Sequence, residues 1–286
     1  MTVLEVLQAS TDYFRKRNIE SARLNAEHLL AHVLGRKRIE LYLEFDRALT
    51  EAELAPLREL VRRRSEGEPL QHLLGTVEFC GEVFLSDKRA MVPRPETEEL
   101  VELVIADCGN RQSGSDGIAD LKILDVGTGS GVIALSLAAK LPQSQVRGVD
   151  ISEEALSLAR ENANRLGLAD RVEFSKNDLL ENLSERFDVI VANLPYIAMS
   201  DRDSLSREVL HDPEHALFGG EKGDELIHQL IDQAPANLAA GGLLAMEIGM
   251  GQTDSVVSAL SQKKYKDISA KNDYSGTPRF VFARYG

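Results

Sequence analysis

The sequence predicts an α/β protein: a doubly wound, largely parallel sheet preceded by a small N-terminal helical domain and a β-hairpin linker. Three observations carry that expectation. From residue 121 onward, short apolar runs alternate with helix-length amphipathic stretches, as expected for buried parallel strands with crossover helices. A glycine-rich turn follows the first of those runs. The first 75 residues, in contrast, hold few strand signals.

Residues 1–75 read as the helical domain. Thr2-x-x-Glu5 and Thr50-x-x-Glu53 fit the capping box, in which a hydroxyl and a carboxylate satisfy free N–H groups at a helix start. Leu4, Leu7 and Phe14 are placed on one helical face, and Leu24, Leu30, Val33 and Leu34 on another, with Gly35 as a stop. Residues 76–92 form the linker, where Val77, Phe79, Val83 and Leu85 flank Gly81 in a hairpin pattern. Residues 93–286 make the third part. Pro93-Arg94-Pro95-Glu96-Thr97-Glu98-Glu99 enters a helix expected to reach about Asp107, and 109–120 is polar, rich in Gly and Ser, and reads as a loop. Strands are expected at 121–126, 145–150, 171–175, 188–192 and 243–248, with helices at 130–140, 152–166 and 223–240. The segments 265–270 and 279–285 are expected to close the sheet as a final pair.

Charge limits the possible partners. The net charge of −13 argues against holding nucleic acid by bulk electrostatics. Up to Gly75 there are 12 basic and 12 acidic residues, so the later part carries the whole imbalance. Three basic triplets, Arg15-Lys16-Arg17, Arg36-Lys37-Arg38 and Arg62-Arg63-Arg64, lie in the neutral part. They read first as solvated helix ends and second as a docking face for an acidic or RNA-bound partner. There is no apolar run long enough to cross a bilayer, the start lacks signal-peptide features, and Cys80 and Cys108 make no disulfide framework. A cytoplasmic, reducing setting is expected.

Asp125-Val126-Gly127-Thr128-Gly129-Ser130-Gly131 joins the first strand to a helix, and Asp150 ends the next strand. The glycines allow a tight turn and let a ligand touch backbone. An acidic side chain placed like Asp150 can hold both ribose hydroxyls. Dinucleotide sites usually read Gly-x-Gly-x-x-Gly, where the last glycine lets a helix approach a pyrophosphate. The Gly-x-Gly-x-Gly spacing here suits S-adenosylmethionine, which has no pyrophosphate. Lys176-Asn177-Asp178-Leu179 follows the third strand; taken alone, Asp178 is equally well a loop cap.

The fourth strand ends in Asn193-Leu194-Pro195-Tyr196. Open α/β sheets bind ligands beyond the carboxyl ends of their strands, and all four motifs fall at that edge. An amide or exocyclic amino nitrogen is a poor nucleophile because its lone pair is delocalised. Asn193 offers a side-chain carbonyl as an acceptor. Leu194, held extended by Pro195, offers a second carbonyl, and Tyr196 offers a ring to stack on a flat group. The competing reading is a plain turn after a strand.

Together these residues resemble the N5-glutamine methyltransferases of peptide chain release factors, the HemK/PrmC family, over nearly the whole chain. Pro93–Glu98, the 125–131 loop, Asp150, Asp178 and Asn193–Tyr196 carry the likeness, with Asp212-Pro213-Glu214-His215-Ala216-Leu217 and Asp273-Tyr274-Ser275-Gly276-Thr277-Pro278-Arg279. The resemblance implies a class I S-adenosylmethionine-dependent methyltransferase sheet and a front domain that docks substrate. It implies an adenine held by Asp178 and packed on Leu179, Arg94 and Asn193 among the residues on the donor side, and S-adenosyl-L-homocysteine as product. The target it implies is the glutamine of the Gly-Gly-Gln loop of class 1 release factors, methylated by a monomer with no stable nucleic-acid binding.

Two positions depart from the family pattern. Leu194 stands where a first proline is usual, and Leu179 where an aromatic ring is common. The Asn-Leu-Pro-Tyr form resembles rRNA adenine dimethyltransferases, so adenine-N6 methylation of nucleic acid is the alternative. That alternative calls for a basic chain with an RNA-binding domain after the sheet; this chain is acidic, with its extra module in front. A third reading is a cofactor-binding protein without catalysis. His28 and His32 are one helical turn apart, as are His211 and His215, but no third ligand goes with either pair, and no metal is expected.

Overall fold

From Lys122 onward the chain builds a seven-stranded sheet. The strands are β3 (Lys122–Val126), β4 (Gln145–Asp150), β5 (Val172–Lys176), β6 (Phe187–Asn193), β9 (Leu238–Glu247), β10 (Tyr265–Asn272) and β11 (Pro278–Tyr285). Their order is β10-β11-β9-β6-β3-β4-β5. β3, β4, β5, β6 and β9 run parallel, and β11 and β10 close one edge antiparallel. The computed structural model describes residues 1–112 and 120–286. Five parallel strands with an antiparallel pair at one edge make the doubly wound sheet that the sequence predicts.

Parallel strands need crossovers, and these are α7 (Val132–Lys140), α8 (Glu153–Arg165) and α9 (Glu225–Asn237). Every α7 residue from Val132 to Ala138 is buried, matching its apolar sequence. Ser152 caps α8 by accepting from Ala155 N at 3.2 Å. α6 (Pro95–Gln112) and α10 (Thr253–Ser261) complete the helices of this unit. One core, with Leu100, Ile123, Leu135, Leu156 and Val191, forms on one face, and a second, with Leu124, Ile190, Leu230 and Leu244, on the other. Both faces of the central strands are therefore covered, which is why their sequence is mostly apolar.

Several boundaries differ from the sequence reading, among them the start of β9 at Leu238 rather than residue 243. Helix α6 continues past Asp107 to Gln112; the rest of the expected loop, 113–119, lies outside the described residues. Helix α9 ends at Asn237 rather than at residue 240. The buried Asn237 side chain donates to Leu183 O at 2.9 Å and Glu185 O at 3.0 Å, and Leu238 turns extended to pair with Phe187. The hairpin β1 (Thr76–Phe79) and β2 (Glu82–Leu85) turns at Cys80 and Gly81, both with positive φ, as a two-residue turn requires. A short pair, β7 (Ile197–Ala198) with β8 (Phe218–Gly220), has no sequence signature.

The other compact unit comprises Met1–Thr76, Ser86–Lys88 and Ser206–His211. Its helices are α1 (Val3–Arg15), α2 (Ala22–Leu34), α3 (Arg38–Leu41), α4 (Glu51–Ser65) and α5 (Leu70–Leu74). The expected capping box forms at Thr2; at Thr50 the Glu53 carboxylate accepts from Thr50 N at 2.8 Å while the hydroxyl donates to the same carboxylate, and Gly35 ends α2 at φ +60°. The faces are shifted from those expected. The buried face of α1 runs through Val3, Leu7 and Phe14, leaving Leu4 exposed, and Leu24 is exposed on α2. Leu4 lies about 100° around the helix from Val3, at the margin of the apolar stripe.

The basic triplets are largely engaged within the unit. Arg62 forks between Glu59 and Glu66, Arg63 pairs with Glu68, and Arg38 approaches Glu27. Arg64 is buried, donating to Asn25 Oδ1 at 2.7 Å and Glu208 Oε2 at 2.6 Å. The helix-end reading therefore fits most of these residues, while Arg64 is part of the packing.

Candidate active site

The carboxyl ends of β3, β4, β5 and β6 open on one cavity of about 330 Å³. Its wall holds Gly127, Thr128, Gly129 and Ser130, then Asp150, then Asn177, Asp178 and Leu179, then Asn193, Leu194 and Pro195. Thr97, His215 and Phe218 complete it from other elements. A larger groove of about 690 Å³, lined by residues including Arg160, Arg171 and Phe174, holds none of the motif residues.

On the donor side, β4 holds the glycine loop. Gly127 N and Thr128 N both donate to Val149 O at 2.9 Å. Asp150 accepts from Gly129 N and from Ser152 N, each at 2.8 Å, so one carboxylate joins the loop to the start of α8. A carboxylate has about four acceptor positions, which leaves room for two ribose hydroxyls. Gly148 is a steric requirement of the same wall: a Cβ there would stand 2.6 Å from the Phe174 ring and 2.8 Å from Thr128 Oγ1.

Asp125 lies fully buried under the loop. Its Oδ2 accepts from Thr128 Oγ1 at 2.6 Å and Ala134 N at 3.1 Å, while its Oδ1 has no partner among the described residues. Burial pushes its carboxyl up to about 7, against the pull of those two hydrogen bonds. Leu179 is buried at φ +46°, a strained value for a branched side chain, in a turn where Asn177 Nδ2 donates to Leu179 O at 2.9 Å.

On the acceptor side, Asn193 Nδ2 donates to Thr97 Oγ1 at 3.0 Å, and Thr97 Oγ1 donates to Glu247 Oε2 at 2.8 Å. Glu247 is the register partner of Asn193 across β6 and β9. Burial pushes the Glu247 carboxyl up to about 7. The Tyr196 hydroxyl lies 3.4 Å from Glu247 Oε1, and burial, then Glu247, push the phenol up to about 12. Leu194 is buried against the glycine loop: its Cδ2 is 2.8 Å from where a Cβ on Gly127 would stand. The departure from proline thus sets an aliphatic arm between the two motifs.

The turn after Asn193 is braced from a distance. Gln252 Nε2 donates to Tyr196 O at 3.0 Å. A Cβ on Gly219 would overlap the Pro195 and Gly223 carbonyl oxygens, and one on Gly223 would stand 2.5 Å from Tyr196 O. Arg94 donates to Asp212 Oδ2 at 3.2 Å, and Asp212 Oδ1 accepts from Val92 N, also at 3.2 Å. The 93–98 and 212–217 motifs therefore meet.

Most residues expected at the site lie on the cavity wall. Three of them, Gly131, Arg94 and Tyr196, are absent from the wall. A Cβ on Gly131 would crowd Ala159, Leu135 and Phe174 at 3.1–3.2 Å, so that glycine serves packing. Sequence reasoning missed Glu247, Gly219 and Gly223, and gave Thr97 and His215 no place on the cavity wall. Only Glu247 left a trace: a carboxylate ending an otherwise apolar strand. His211 and His215 fall on separate 3-10 turns, and the described residues include no cluster of three or more metal-ligating side chains. Among the described residues no helix is long and apolar enough to cross a membrane.

Comparison with known proteins identifies the family. Residues 5–75 match the PrmC N-terminal domain family, and residues 119–268 match a methyltransferase domain family. The chain is 41% identical to the release factor glutamine methyltransferase of Rhodopirellula baltica, over 98% of this chain and 95% of that one. It is 39% identical to the one from Geobacter sulfurreducens, over 100% and 97%. A methyltransferase from Pyrococcus furiosus shares the fold at a TM-score of 0.52 and 18% identity, covering 71% of this chain and 88% of that one.

Proposed function

The chain belongs to the release factor glutamine methyltransferase family, and from that premise we propose how its residues carry the reaction. It is an S-adenosylmethionine-dependent enzyme that methylates the side-chain amide nitrogen of a release-factor glutamine. The observation that carries the residue roles is the single cavity shared by the glycine loop and the Asn193 turn.

The donor wall fits the cofactor. The glycine loop leaves backbone open to a ligand, and Asp150 faces the cavity with acceptor capacity to spare. Gly127, Thr128, Gly129 and Ser130 hold the methionine part, Asp150 the ribose, and Asp178 and Leu179 the adenine. When bound, S-adenosylmethionine supplies an activated methyl on a sulfonium and leaves as S-adenosylhomocysteine. Asn193 Oδ1 and the Leu194 carbonyl accept the two amide N–H bonds of the glutamine and aim its nitrogen lone pair. They also stabilise the positive charge that builds on nitrogen as the N–C bond forms. The nitrogen, now cationic and acidic, then gives one proton to water, so no base is required beforehand. Tyr196, tied toward Glu247, fixes the turn rather than stacking on the substrate.

The target glutamine is that of the Gly-Gly-Gln loop of class 1 release factors, and the front domain, residues 1–75, docks the release factor. The enzyme works as a cytosolic monomer. Its two cysteines are free, and burial holds both thiols up at about 11. Offering methyl-labelled donor to a mixture of release factor and ribosomal RNA tests the reading. Label is expected in the protein alone; label in RNA adenines with unlabelled protein would reverse it in favour of the alternative that Leu194 suggests.

A further inference from the structure

For Asn193 to hold an NH2 group it must present oxygen, not nitrogen, to the cavity. Nothing in the local sequence decides which way an amide points. The bonds behind it do. Thr97 and Glu247 are 2% and 1% exposed, so solvent does not compete for them. A hydroxyl has one hydrogen, and an ionised carboxylate only accepts. With Glu247 ionised, the Thr97 hydrogen is committed to Oε2 at 2.8 Å, and Thr97 Oγ1 can only accept from Asn193. Asn193 must then turn its NH2 to Thr97, at 3.0 Å, which leaves Oδ1 for the substrate.

We propose that Thr97 and Glu247 are positioning residues that fix the amide of Asn193 with its oxygen toward the cavity and so make it an acceptor for the glutamine NH2. The inference rests on the reading of Asn193 given above. The relay can also run backwards. A protonated Glu247 can donate to Thr97, which then donates to Asn193 Oδ1. That turns the Asn193 NH2 toward the substrate NH2, donor against donor.

The groups facing Glu247 come from three neighbouring elements. Thr97 and Glu96 lie on α6, Tyr196 follows β6, and Arg279, paired with Asp273 at 3.2 Å, starts β11. Burial raises the Glu247 carboxyl, Thr97 and Arg279 lower it, Glu96 raises it, and Tyr196 lowers it, with a net position near 7. As pH falls below that value, the locked orientation is lost, so kcat falls toward acid.

The test is a set of pH profiles of release-factor methylation by wild type, Thr97→Val, Thr97→Ser and Glu247→Gln. Donor binding and thermal melting are measured on each to confirm folding. Thr97→Val is expected to lower kcat about tenfold or more with KM for both substrates nearly unchanged. Thr97→Ser, which keeps the hydroxyl, restores most of the rate. The acid limb near pH 7 is expected in wild type and Thr97→Ser and absent in Thr97→Val and Glu247→Gln. Full kcat in Thr97→Val, or an acid limb that survives in either relay-breaking variant, overturns the proposal. If Asn193→Ala is inactive while Thr97→Val is normal, only the relay fails. If Asn193→Ala keeps full activity, the reading beneath it fails too.

Discussion

The donor wall of the cavity is tied together mainly by near neighbours in sequence, the acceptor wall by residues from across the unit. Thr128 bonds Asp125 three positions away, and Gly129 bonds Asp150 twenty-one positions away. Asn193 bonds Thr97 at a separation of 96, Thr97 bonds Glu247 at 150, and Tyr196 is held by Gln252 at 56. A cofactor that presents the same shape each time can be met by one strand–turn–helix unit. An amide acceptor needs two hydrogen bonds at set angles, and a turn of four residues does not fix those angles unaided. The surrounding fold supplies the stiffness.

That contrast can be broken by mutation. The largest effect is expected from Asn193→Ala, which removes the acceptor proposed to stabilise the transition-state charge. It should lower kcat roughly 10²–10³-fold while leaving donor affinity, measured by calorimetry, nearly unchanged. Next is Gly219→Ala, which drives a Cβ into the Pro195 and Gly223 carbonyls. A melt should show roughly 1–3 kcal/mol of lost stability, with kcat reduced, because those atoms are backbone and do not yield easily. Asp150→Ala strands the Gly129 and Ser152 N–H groups. It should raise the KM for donor about tenfold, with a smaller change in KM for the release factor. The smallest change is expected from Thr2→Ala, which removes the α1 cap far in sequence from either wall. A loss of about 1 kcal/mol in the melt with unaltered kcat would separate fold from site. Equal losses of kcat and donor affinity in both Asn193→Ala and Asp150→Ala would erase the distinction between the walls.

The same contrast explains what the sequence made legible. The glycine loop, Asp150 and the Asn193 turn could all be read because each is marked by residue type within a few positions. The doubly wound class of the sheet followed from the alternation of apolar runs and helices, and the α1 capping box from a four-residue pattern; the strand order did not. Gly219 and Gly223 could not be read: they are required by carbonyls more than twenty residues earlier, and a lone glycine in a loop says nothing of what approaches it. Leu4 and Leu24 were misplaced because an apolar residue at the margin of a helical stripe is decided by packing. The amide orientation of Asn193 was hidden most deeply, since it depends on a hydroxyl 96 positions before it and a carboxylate 54 positions after it. Leu194 was legible only as a departure. Its packing on Gly127 shows that the leucine joins the two walls.

The proposal on which the rest depends is that the Asn193 turn holds the glutamine amide nitrogen that takes the methyl. Fragmentation mass spectrometry of the release-factor peptide carrying Gly-Gly-Gln tests it most directly, after incubation with wild type or Asn193→Ala and methyl donor. One methyl on the glutamine side chain with wild type and none with the variant is the expected result. An unmodified glutamine with active wild-type enzyme, or equal methylation by both proteins, would contradict it.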